Sequence, residues 1–140
     1  ASSGNIKAGD FNKLSAEAPS GDIEIGTISE DAKVKTASGK ITLNGANKLK
    51  AEAISGDIKI NSIENNCEIS STSGNIIVDT ANINENSFIK TNSGNVVINN
   101  KNDIYVETKT TSGDADVQNN NRMSEIVLDI TTTSGNIKVN

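Results

Sequence analysis

Apolar and polar residues alternate with period two in short stretches along the whole chain, and the stretches resemble one another. Each follows a Ser-Gly pair, found at Ser3-Gly4, Ser20-Gly21, Ser38-Gly39, Ser55-Gly56, Ser73-Gly74, Ser93-Gly94, Ser112-Gly113 and Ser134-Gly135. Successive pairs lie 17 to 22 residues apart. Counted from each serine, position +3 reads Ile6, Ile23, Ile41, Ile58, Ile76, Val96, Ala115 and Ile137. Position +5 reads Ala8, Ile25, Leu43, Ile60, Val78, Ile98, Val117 and Val139, and the residues between are mostly polar. Such alternation predicts a strand with one buried face.

A second strand is predicted before each Ser-Gly. Position −6 reads Leu14, Ala32, Leu49, Cys67, Ser87, Val106 and Leu128. Position −4 reads Ala16, Val34, Ala51, Ile69, Ile89, Thr108 and Ile130, and position −2 holds only Ala, Thr or Ser. Inward side chains thus shrink toward the Ser-Gly, as a sharp corner requires. Glycine tolerates positive φ at such a corner, and Ser with the following Asp or Asn can bond nearby backbone groups. The unit is therefore strand, variable connection, strand, corner. Length variation falls in connections such as residues 61–66 and 118–122, where loops absorb insertions.

Sameness within columns separates two architectures. A sandwich pairs unlike strands antiparallel, whereas a parallel solenoid sets +3 on +3 and +5 on +5. The expected fold is all-β: a single-stranded parallel β-solenoid of about seven turns of ~18 residues. Strands stacked about 4.8 Å apart give a rod on the order of 35 Å long. Right-handed winding is the general expectation for parallel crossovers. Two departures fall in the last third: Ala115 stands where Ile is usual, and 22 residues separate Ser112 from Ser134. The regularity of the final turns is accordingly in question.

Composition narrows the chemistry. The 140 residues include 19 Ile and 8 Val against 4 Leu, a β-branched palette that disfavours a helical bundle. A formal charge of −5 argues against an electrostatic grip on nucleic acid or anionic lipid. No apolar run approaches membrane-spanning length, so no membrane insertion by this segment is expected. With no His and one Cys, zinc sites and His-dependent triads lack their parts. Cys67 sits in an inward column and reads as a small buried hydrophobe. No catalytic, cofactor-binding or metal-ligating residues are expected, and no cofactor.

Outward columns offer other candidate sites. Position +2 reads Asn5, Asp22, Lys40, Asp57, Asn75, Asn95, Asp114 and Asn136. No two carboxylates adjoin, which disfavours a calcium ladder and favours corner roles. Glu30 and Asp31 read as solvated loop charges, and Tyr105 and Phe88 offer little of the aromatic platform that sugar-cleaving β-helices use. Position +4 is polar except Ile77 and Val97. With Phe88, outward at −5, they form the best candidate for a partner contact.

Ser20-Gly21-Asp22-Ile23-Glu24-Ile25, Ser55-Gly56-Asp57-Ile58-Lys59-Ile60 and Ser134-Gly135-Asn136-Ile137-Lys138-Val139 carry a family resemblance. The chain resembles, over its whole length, a bacterial domain family of unknown function that bears the label "adhesin". The resemblance implies a β-helix in envelope-associated proteins, with no catalytic residues to carry over. The chain then reads as one domain over residues 1–140 of a longer, extracytoplasmic protein. Its expected role is a non-enzymatic, adhesin-like interaction module for a protein or surface glycan. A self-assembling scaffold joined end to end through open strand edges, or an envelope-stress regulatory domain binding a protein partner, is the alternative.

Overall fold

A computed structural model describes residues 4–101, 104–118, 121 and 123–140. Twelve strands and no helix form among them: β1 (Ile6–Ala8), β2 (Leu14–Ser20), β3 (Ile23–Ser38), β4 (Ile41–Ser55), β5 (Ile58–Ser73), β6 (Ile76–Ala81), β7 (Ser87–Ser93), β8 (Val96–Asn100), β9 (Tyr105–Ser112), β10 (Ala115–Val117), β11 (Val127–Ser134) and β12 (Ile137–Val139). All strand pairs are parallel, and equivalent positions of the repeat pair with one another on either side of each Ser-Gly corner. The chain is a β-solenoid with the repeat spacing its sequence predicts. Ile23, Ile41, Ile58 and Ile76 stack as successive partners in one column. All four are fully buried.

The Ser-Gly corners hold this register. Eight glycines, Gly4 to Gly135, adopt φ between 106° and 144°, a region that side chains rarely enter. Crowding adds a second reason. A methyl group at Gly56 would overlap the carbonyl oxygen of Gly39 on the neighbouring turn, whereas one at Gly4 would meet nothing within 4 Å. The backbone continues the ladder round the bend, with Gly56 N donating to Ser73 O at 3.0 Å and Ile58 N to Asn75 O at 2.9 Å.

The expected loops between strands are a correction. In the middle of the rod the chain stays extended through them, so β3, β4 and β5 run 15 or 16 residues each. Residues 61–66 lie inside β5. Register shifts between Ile28 and Asp31, and between Ala46 and Lys48, take up the length differences. A bulge leaves the extra residue unpaired, and the ladder resumes beyond it. The reason for pairing is a third inward column at +8, formed by Ile28, Ala46, Ile63 and Ala81, all buried. Ile83 and Ile104 join the same core.

The order of the last units is a second correction. A solenoid wound in chain order would set each unit on its predecessor. Instead β12 lies between β8 and β10, and β11 between β7 and β9. Ser134 therefore pairs with both Ser93 and Ser112. The chain places its seventh unit at the tip and returns to fill the gap with its eighth. Apolar content explains this order. The Gly135 unit brings Leu128, Ile130, Ile137 and Val139 to the inside, while the Gly113 unit has only Val106, Thr108, Ala115 and Val117 there. A turn at the tip has one open side, so the less apolar unit loses less by occupying it.

Candidate functional site

The +2 side chains bond one turn to the next. Asp22 Oδ1 accepts from Lys40 N at 2.9 Å, and Asp57 Oδ1 from Asn75 N at 2.9 Å. Asn75, Asn95 and Asn136 continue the ladder, accepting from Asn95 N, Asn136 N and Asp114 N. The acceptor thus reaches across turns instead of closing its own corner. Lys40 carries no such acceptor and interrupts the column. Among the described residues no group of three or more His, Cys, Asp or Glu side chains is placed to hold a metal ion.

The candidate contact residues fall on two columns. Ile77 and Val97 are register partners and each is half-buried. Phe88 is 43% exposed and stands in the −5 column, with Glu68 and Asp129 as its partners on either side. The three therefore do not belong to one column of apolar side chains. Glu30 and Asp31 are exposed within β3 rather than on a loop, and Glu30 lies 3.7 Å from the Lys13 ammonium.

Two open depressions mark the outer surface. One of about 400 Å³ is lined by Lys13, Lys33, Lys48 and Lys50 together with Asp31 and Glu68. The other, about 580 Å³, lies over the register shifts and is lined by Thr27, Ser29, Asn44, Asn47, Asn61 and Asn65, among others. Its amides are bonded along the rod: Asn61 Nδ2 donates to Asn44 Oδ1 at 3.1 Å, Asn44 Nδ2 to Thr27 Oγ1 at 2.9 Å, and Asn65 Nδ2 to Asn47 Oδ1. An amide has two donors and an acceptor with two lone pairs. Each asparagine in the ladder thus keeps hydrogen-bonding capacity that can face outward. This surface falls where the alternating pattern predicts only variable connections. The recurrence of Asn at +6 (Asn44, Asn61, Asn99, Asn140) was the signal that could have found it.

Interior polar groups are structural. Cys67 is buried, and burial pushes its thiol up to about 12, opposed by a hydrogen bond to Ser87. That is the wrong direction for a nucleophile. Ser87 Oγ accepts from Cys67 N at 3.0 Å and donates to Glu85 O at 3.1 Å. The −2 hydroxyls of Thr36, Thr110 and Thr132 donate to corner carbonyls. Ser71 Oγ and Thr91 Oγ1 are buried without a hydrogen-bond partner among the described residues.

No curated protein and no solved structure matches the chain. One family model, described as Toastrack DUF4097, matches residues 1–140. The parallel stack, the Ser-Gly corners and this full-length match lead to one conclusion: the chain belongs to the Toastrack DUF4097 family, a family of unknown function.

Proposed function

We propose that the chain is a non-enzymatic interaction module of the bacterial cell envelope, adhesin-like in role, whose ligand is a surface glycan. The observation that carries this reading is the amide-lined depression of about 580 Å³. Asn44, Asn47, Asn61 and Asn65 sit on adjacent turns about 4.8 Å apart, held by a scaffold that loses little entropy on binding. Amides and hydroxyls in such a row match the paired donors and acceptors of sugar hydroxyls, and preorganisation lowers the cost of binding.

Titration of the purified domain with neutral cell-wall polysaccharides tests it. Saturable binding is expected, lost in Asn61→Leu with the melting temperature within a few degrees of wild type. A domain that binds no such polymer, or that releases new reducing ends from it, defeats the reading. Envelope association is checked separately by fractionating cells that express the native protein.

A second reading, a scaffold joined end to end, draws support from the tip of the rod. Among the described residues, β9 and β10 pair on one side only. Open parallel edges invite another strand. Filaments that lengthen with concentration in light scattering would favour it.

A further inference from the structure

The −5 column runs unbroken along the rod: Ser15, Lys33, Lys50, Glu68, Phe88, Asp129 and Glu107 are successive register partners. Its charges are segregated. Two lysines occupy one end, two acids the other, and Glu68 with Phe88 lies between. This departs from the rest of the surface. Among the described residues, eight register pairs are charged at both positions, and six of them are opposite in sign: Lys7 with Glu24, Glu17 with Lys35, Asp31 with Lys48, Lys35 with Glu52, Lys50 with Glu68, and Asp116 with Lys138. The two like pairs, Lys33 with Lys50 and Asp129 with Glu107, both fall in this column. Like charges directly opposed on neighbouring strands are destabilising. Neither Lys33 nor Lys50 has a carboxylate within ion-pair distance among the described residues.

We propose that this column is the contact face of a side-by-side antiparallel dimer, its partner a second copy of this chain. A two-fold axis along the strand direction, midway between the Glu68 and Phe88 levels, lays the column on itself in reverse. Lys33 then meets Glu107 of the other copy, Lys50 meets Asp129, and Phe88 is covered beside Glu68. Each contact occurs twice by symmetry. A parallel arrangement would set like on like, and moving the axis half a turn either way brings acid against acid. In the adjoining −3 column the same axis opposes Lys35 to Lys109, and Lys35 already has Glu17 and Glu52 as register partners. Phe88 supplies the apolar centre that such an isologous interface needs. The proposal is independent of glycan binding, because it uses a different face.

Sedimentation equilibrium of the native chain at low ionic strength, up to millimolar concentration, tests it. The expected mass is that of two copies, falling toward one as salt is added. The double variant K33E/K50E and the double variant E107K/D129K are each expected to weaken the dimer more than about a hundredfold. Mixed in equal amounts they are expected to form a heterodimer, and the quadruple variant to regain the homodimer. K40E/K59E, which makes the same net charge change elsewhere, is expected to stay dimeric. A chain that is monomeric throughout overturns the proposal, as do reversals without effect, a mixture of the two doubles that fails to pair, or growth into long filaments. All substituted side chains are exposed, and circular dichroism identifies any variant that has lost its fold; Phe88→Ser, at the centre of the face, then provides the decisive second test by weakening the dimer.

Discussion

In the Gly135 unit, Leu128, Ile130, Thr132, Ile137 and Val139 are all buried. At the matching positions of the Gly113 unit only Val106 is, while Thr108, Thr110 and Val117 are half-exposed and Ala115 is exposed. The two units share the corner motif, the positive-φ glycine and the register. They differ in what each gains from having a neighbour on both sides. Fully burying a Val, Leu or Ile side chain is worth about 1.5–3 kcal/mol, and doubling a connection costs only about 0.6 kcal/mol. Departing from chain order is therefore inexpensive, and the apolar unit takes the inner place.

The largest test of this contrast between interior and tip is at the corners. Gly56→Ala is expected to cost roughly 3–5 kcal/mol, from positive φ and overlap with Gly39 O together. Gly4→Ala meets open space and is expected to cost about 1–2 kcal/mol, from φ alone. Denaturant titration of both variants measures the gap, and equal losses would mean that crowding between turns is unimportant.

Next in size are inward truncations. Ile137→Ala and Ile60→Ala are each expected to lose about 2–5 kcal/mol, because both are fully enclosed. Val117→Ala at the tip is expected to lose under about 1 kcal/mol. Hydrogen exchange sharpens the comparison: amides of β11 and β12 should outlast those of β9 and β10. The reverse order of protection would restore stacking in chain order.

Smaller effects separate polar groups that hold the stack from those that do not. Asn95→Ala removes the acceptor for Asn136 N, one of the bonds between the sixth unit and the inserted eighth, and is expected to cost about 1 kcal/mol. Ser71→Ala and Thr91→Val remove hydroxyls that lack hydrogen-bond partners among the described residues, so both are expected to be neutral or stabilising by up to about 1 kcal/mol. A thermal-shift series ranks the three.

Cys67 has no expected effect at neutral pH and a growing one in alkali. Burial raises its thiol to about 12 in the folded protein from the ordinary 9.0. Below 9 both states keep the proton; between 9 and about 12 only the unfolded chain loses it, so stability falls as pH rises. Cys67→Ala is expected to lack that slope in urea titrations run across this range.

What the sequence determined by itself was every contact that depends on chain position modulo the repeat. The columns Ile23–Ile41–Ile58–Ile76 and Val34–Ala51–Ile69–Ile89 follow from alternation and a recurring glycine, because in-register stacking makes neighbours of equivalent residues. The burial of Ile28 and Ile63 was less visible, since their +8 column is offset by bulges and looked like loop. The amide-lined depression over those bulges escaped for the same reason. Only the tertiary structure decided which unit lies beside which. A corner motif is identical on every turn and names no neighbour; the order Gly94, Gly135, Gly113 emerges from competition for enclosure among whole units. The segregated charges of the −5 column likewise acquire meaning only once Asp129 and Glu107 stand beyond Phe88 on one face, because local sequence records each charge but not the surface on which they meet.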